Sequence, residues 1–225
     1  MKVLIISILA ILTTLQIYVT KNNKLKPDDI AKEVLTAKEL KGIMIMINYV
    51  DELVVEKTNV QDINQAYHAY FEKLRPFIEK GEMFPVLVKD TVKFKFLENM
   101  DQEAFDAVWR MDYVFIRSIR YRDTVLHNLE DFEDFSINSS GSFMNYLDQI
   151  GKSDKKYKKT SEAIKIAGDM SPSAMVWLPA HHTNFDFNTF KDRLWATVIL
   201  LRIGDPLEEK VKRYLRGKNV MNKEH

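Results

Sequence analysis

The chain contains no cysteine, and that absence removes disulfides, thiol nucleophiles, thiolate zinc sites and iron–sulfur clusters together. Glycine and proline are scarce, at 7 and 6 of 225 residues, against 13 Phe, 10 Met and 9 Tyr. Few turn formers and many large side chains suit long helices better than a many-stranded sandwich. Neither sign of charge dominates, with 33 Lys and Arg facing 32 Asp and Glu, so no whole-molecule field draws in nucleic acid. Internal repeats and sustained heptads are also missing, which argues against a solenoid or a coiled coil.

What is present is enough apolar material, 46% of residues, to bury one sizeable core without a metal or disulfide staple. The first stretch is apolar in a different way. Val3 to Val19 is a run of seventeen uncharged residues, preceded by Lys2 and followed by Lys21, Lys24 and Lys26. A positive start with an apolar run describes either a membrane span or a signal peptide. The small residues that cleavage needs are missing before any cut after Thr20, where Tyr18 stands three positions back, so an uncleaved signal-anchor is expected. Basic residues are more numerous after the span, which by itself would keep the body in the cytoplasm. A span that starts at residue 3 with no domain before it resembles a signal anchor that exports the body of the chain. Residues 1–20 are therefore expected to anchor a body lying outside the cytoplasm; the alternatives are a cleaved, secreted body or a cytoplasmic one.

After a tether at 21–27, Pro27 with Asp28 and Asp29 marks a helix start. Val34, Leu35, Ile43, Met46, Ile47, Val50, Leu53 and Val54 recur at helical spacing and predict a long helix to about Lys57, with Gly42 as its candidate break. Asn59 and Asp62 open a second helix carrying Ile63, Tyr67, Tyr70, Phe71, Leu74 and Ile78, which Pro76 is expected to kink or end early. Val92, Phe94 and Phe96 alternate with Lys93 and Lys95, a period-two pattern that predicts at most one short β-hairpin near 85–97. Asp101 is expected to cap a helix from Gln102 to Glu130 with Phe105, Val108, Trp109, Met111, Phe115, Ile116, Ile119, Leu126 and Leu129 as its buried stripe. Further helices are expected near 143–151, 161–167 and 188–201, and from Pro206 to a stop at Gly217, leaving 218–225 as a disordered tail. The fold class that results is mainly α: a helical, bundle-like single domain over 28–217 behind an N-terminal membrane helix.

The stretch richest in chemistry is "PAHHTNFDF" at 179–187. His182 and Asp186 form H-H-x-x-x-D, which resembles the motif of chloramphenicol acetyltransferases and peptide-synthetase condensation domains. The resemblance implies a general-base role for His182 and an organising role for Asp186, although those families place glycine where Phe187 stands. His181 with Asp186 also resembles the H-x-x-x-x-D pattern of glycerolipid acyltransferases, whose further glycine-rich and Pro-Glu-Gly blocks are missing from the last 39 residues. A simpler expectation is that Asp186 or Asn188 caps the next helix by accepting a backbone N–H bond. Two imidazoles and a carboxylate also suit zinc, but adjacent side chains diverge in an extended chain, and no metal or cofactor is expected.

A second cluster is "RSIRYR", with Arg117, Arg120 and Arg122 as candidate binding residues for a carboxylate or phosphate. Pairing of Arg110 with Asp106, and of the others with Asp131, Glu133 and Asp134, is the structural alternative. The lysine-rich "KSDKKYKK" at 152–159 is either a solvated face or a membrane-surface contact. Asn138 begins a glycan-acceptor triplet.

These readings point to a membrane-anchored, extracytoplasmic helical protein that binds a protein partner and does not catalyse, of the inhibitor, immunity or assembly-accessory type. The alternatives are an acyl-transfer or hydrolytic enzyme using His182 as base with Asp186, and a membrane-surface module using the lysine-rich segment.

Overall fold

A computed structural model describes residues 25–221; the apolar segment at 3–19 and the final four residues lie outside the described residues. Two caps set the entrance. The Asp28 carboxylate accepts the Ala31 N–H at 2.8 Å and starts α1 (Asp29–Val34). Thr36 and Glu39 then form a reciprocal capping box that starts α2 (Ala37–Thr58), satisfying two orphan donors at once. The break in the expected long helix thus falls at Leu35 and Thr36, not at Gly42. Gly42 is helical and makes room for a close neighbour: a Cβ there would come within 2.2 Å of the Ala104 Cβ.

Asp62 caps α3 (Ile63–Lys80) through the Gln65 N–H at 2.9 Å, and Gly81 ends it at φ +66°. Pro76 is exposed and does not stop the helix. The expected hairpin near 85–97 is instead α4 (Asp90–Glu98). Its period-two pattern misleads because Lys93, assigned to a solvent face, is wholly buried beside Asp90 at 2.8 Å. Phe94 and Leu97 turn inward with it, whereas Val92 is half exposed.

The larger correction concerns 102–130. The helix capped by Asp101 is only α5 (Gln102–Val108). The chain then runs out and back as an antiparallel hairpin, β1 (Trp109–Tyr121) and β2 (Thr124–Ile137), paired from Trp109↔Ile137 to Tyr121↔Thr124. At about 3.4 Å per residue, thirteen residues of β1 reach roughly 44 Å. The aromatic and β-branched residues between Tyr113 and Val125 favour strands, and their spacing imitates a helical stripe by coincidence. Arg122 makes the tight turn at φ 53°, and a one-residue slip between Val114 and Ile116 puts Asp131 at φ 56° as a bulge.

The remaining elements are α6 (Ser142–Gly151), α7 (Lys155–Ala167), α8 (Pro172–Ala180), a short 3-10 turn (His182–Asn184), α9 (Phe190–Arg202) and α10 (Leu207–Met221). α10 passes through Gly217, where a stop was expected, and takes in the first residues assigned to the tail. α9 is the hub: Asp192 to Leu201 are all buried, as expected of a helix enclosed on every side. α2, α3, α6 and α8 surround it, and the hairpin base joins the same core through Trp109, Phe135 and Ile137. The distal hairpin packs on α10 in a separate small cluster of Leu129, Phe132 and Val211.

Candidate functional site

The HHTNFDF loop descends from the end of α8 to the start of α9. Its two histidines diverge. His181 caps α8, is exposed, stacks on Trp177 at 5.1 Å and keeps Nδ1 2.9 Å from the Trp177 carbonyl. His182 turns inward and is 6% exposed. Its Nδ1 lies 3.0 Å from the His68 Nδ1 and its Nε2 lies 3.2 Å from a Glu72 carboxylate oxygen. His68 and Glu72 stand one turn apart on α3, on the side that receives the loop.

One Nδ1 of the histidine pair must carry a proton and the other must accept it. Burial, reinforced by the neighbouring His182, holds the His68 pKa below its ordinary value, against the pull of Asp186, so the His68 cation is disfavoured. Glu72 is held below the usual carboxylate range by hydrogen bonds from Arg75 and then His182. With one ring nitrogen on a carboxylate and the other on an imidazole, His182 has no nitrogen left to take a substrate proton. The hollows between α2 and α4, between β2 and α10, and beside α1 and the start of α9 are lined by other residues.

Asp186 does not touch His182. Its carboxylate accepts the backbone and side-chain N–H groups of Asn188, each at 3.0 Å, an Asx turn that shapes the loop. Capping of α9 falls instead to Thr189, through the Asp192 N–H at 3.4 Å, which corrects the expectation of Asp186 or Asn188. Asp192 reaches back to the Asp186 N–H at 2.8 Å and accepts the Tyr157 hydroxyl on its other oxygen. Phe187 is fixed at both ends, donating its N–H to Asn64 at 2.8 Å and accepting from the Arg193 Nε at 2.6 Å. The loop is thus a clamp holding α3, α7 and α9 together. Among the described residues, no group of three His, Asp or Glu side chains is placed to hold a metal ion.

Below the loop lies a buried polar network. Asp51 accepts the Tyr67 hydroxyl at 2.9 Å and sits 3.3 Å from Arg193. Burial pushes its carboxyl up to about 6, against the opposing pull of Arg193 and Tyr67. The groups fill one another's valences inside a packed core, with Thr197 3.4 Å from the Tyr67 oxygen.

The arginines lie on β1 and its turn, not on a helix face. Arg117 and Arg120 are exposed, and Arg122 approaches Glu208 at 3.6 Å. Arg110 pairs with Asp112 at 2.8 Å in place of Asp106. The acids expected to answer the arginines answer α10 instead, with Asp134 on Lys210 at 3.0 Å and Asp131 near Lys218 at 3.6 Å. Tyr113, Val114 and Phe115 stand beside the arginines at 66%, 43% and 57% exposure. The lysine-rich segment is mostly the first turn of α7, where Lys156 is drawn to Asp192 at 3.3 Å and Lys158 to Glu162 at 4.0 Å. The Asn138 side chain donates to the Asp106 carbonyl at 2.6 Å.

Sequence reasoning missed His68, Glu72 and Asp192 as partners of the loop. The four-residue spacing of His68 and Glu72 was the one available signal, and nothing local links it to residue 182. Comparison with protein-family models, curated proteins and solved structures finds no match to this chain.

Proposed function

We propose that the chain is a non-enzymatic binding protein for a protein partner, of the inhibitor, immunity or assembly-accessory type. It is held at a membrane by residues 3–19 with its body outside the cytoplasm. One observation carries the binding role: the hairpin carries Tyr113, Val114 and Phe115 uncovered beside Arg117 and Arg120. Aromatic and arginine side chains are the types that dominate binding energy at interfaces, and a monomer gains nothing by leaving them in water. The engagement of both His182 ring nitrogens argues against catalysis through that residue. No helix among the described residues is long and apolar enough to cross a membrane, so the anchoring role rests on the sequence of residues 3–19.

Capture of the native protein from its own membrane tests the reading. Wild type is expected to bring down a defined partner that Phe115→Asp, a change at an exposed strand position, loses with its circular dichroism spectrum and melting temperature unchanged. Recovery of the same proteins by both forms would refute it. Topology has its own check, since a reporter enzyme active only outside the cytoplasm, fused after residue 225, is expected to be active; a stable but silent fusion reverses the orientation.

A further inference from the structure

A second uncovered surface lies between α2 and α4, in a groove of about 600 Å³. Ile45 and Tyr49 of α2 and Val92 and Phe96 of α4 line it, with Tyr49 and Phe96 stacked at 4.0 Å. Ile45 and Val92, at 50% and 53% exposure, carry the apolar surface out of the hollow onto both helices. Lys38, Lys41 and Lys95 rim it, against a single acid, Asp101. Lys38 is shared with Glu103 at 3.5 Å, while Lys41 and Lys95 form no ion pair among the described residues.

The Tyr49 hydroxyl is buried without a hydrogen-bond partner, and burial raises its pKa. Lys38, Gly42, Ile45 and Tyr49 follow one face of α2, so the groove runs roughly 16 Å, about three helical turns.

We infer that this groove receives an amphipathic α-helix of a protein partner, with apolar residues at three- and four-residue spacing inward and acidic flanks against Lys41 and Lys95. Helices dock in apolar grooves in this way, and the basic rim supplies the charge preference. The inference rests on the proposed binding role and names the recognition element of the partner.

The probe is a synthetic amphipathic helix of about fifteen residues, the length that spans the groove with a turn to spare, carrying leucines on one face, glutamates on its flanks and one photoreactive leucine. The full chain is presented in zwitterionic lipid nanodiscs. The acidic peptide is expected to bind about tenfold tighter than its lysine-flanked counterpart and to cross-link to residues 38–49 and 92–100. Val92→Asp is expected to abolish capture with the circular dichroism spectrum unchanged, and joint Lys41→Glu and Lys95→Glu substitution to reverse the charge preference. Equal binding of the two peptides, or cross-links elsewhere, would overturn the inference. So would binding of dodecanoate in the groove with no capture of the acidic peptide, which assigns the site to a small anionic amphiphile. Because the probe is supplied, its failure counts against the groove alone, while the binding role stands or falls on the native partner lost with Phe115→Asp.

Discussion

Asp90 and Asp205 hold each other by exchange: the backbone N–H of Asp90 donates to the Asp205 carboxylate at 3.0 Å, and that of Asp205 donates to Asp90 at 3.1 Å. The exchange ties the start of α4 to the turn before α10. Two carboxylates tolerate this closeness because Lys93 lies 2.8 Å from Asp90 and donates to the Ile203 carbonyl at 2.9 Å. Arg213 adds a charge 3.0 Å from the other Asp90 oxygen, though without hydrogen-bond alignment. Burial pushes the Asp90 carboxyl up, but Lys93, the Asp205 N–H and Arg213 outweigh it and hold it below the ordinary range.

Breaking that pair from one side is expected to be expensive. Lys93→Ala leaves a carboxylate buried without its nearest cation and is expected to cost roughly 3–5 kcal/mol in urea denaturation. The exposed Lys41→Ala is expected to stay within about 0.5 kcal/mol of wild type. The double variant Asp90→Ala with Lys93→Ala is expected to cost less than the sum of the single changes; strict additivity would show that the two charges do not stabilise each other.

Asp51 titrates in the opposite sense. Its folded pKa of about 6 lies above the unfolded value near 3.9, so between about pH 4 and pH 6 the folded chain holds a proton that the unfolded chain has released. Stability from this group therefore falls as pH rises through that window, by about 3 kcal/mol. Asp51→Asn is expected to remove this descent from the difference between variant and wild-type curves, measured by denaturation at several pH values. Parallel curves would place the proton elsewhere.

Gly42→Ala brings together two opposed effects. Alanine gains about 1 kcal/mol in helix propensity, but the new Cβ meets the Ala104 Cβ at 2.2 Å and must force α2 and α5 apart. Overpacking of this kind costs about 1–3 kcal/mol, so a net loss of thermal stability is expected. An increase would mean that the contact yields freely.

His182→Ala separates structure from chemistry. It leaves His68 without its ring partner, while Glu72 keeps Arg75 at 2.8 Å, and is expected to cost about 1–3 kcal/mol, yet partner capture at permissive temperature is expected to persist. Because the His68 pKa is lowered in the fold, the unfolded chain takes up its proton first, and the contribution of His68 to stability is lost as pH falls below about 6.5. His68→Gln is expected to remove that acid loss; an unchanged acid limb would rule out the histidine contact as its source.

The helices that pack one face inward are legible in the sequence alone. Tyr67, Tyr70, Phe71 and Leu74, a stripe by their spacing, are all buried, and Asp62 caps the helix as its position announces. The hairpin is not legible, because Phe115 and Ile116 recur at intervals that fit a helix and the turn at Arg122 and Asp123 carries no glycine or asparagine. Lys93 shows the other failure, where a buried cation owes its place to a carbonyl 110 residues away. For the HHTNFDF loop, the sequence raises the right residues and the wrong relationship: Asp186 serves Asn188, and the true neighbours of His182 lie on α3.

The second apolar cluster has a consequence for synthesis. Leu129 and Phe132 of β2 are covered by Val211 of α10, which leaves the ribosome only after some eighty more residues have been made, at about 5–20 residues per second. An isolated two-stranded hairpin is marginal in water. For several seconds on every ribosome, therefore, the outer half of this hairpin waits for its cover, and α9, the hub of the main core, is made only shortly before that cover. A nascent chain stalled before residue 207 leaves Leu129 and Phe132 bare on a long two-stranded hairpin with two unpaired edges.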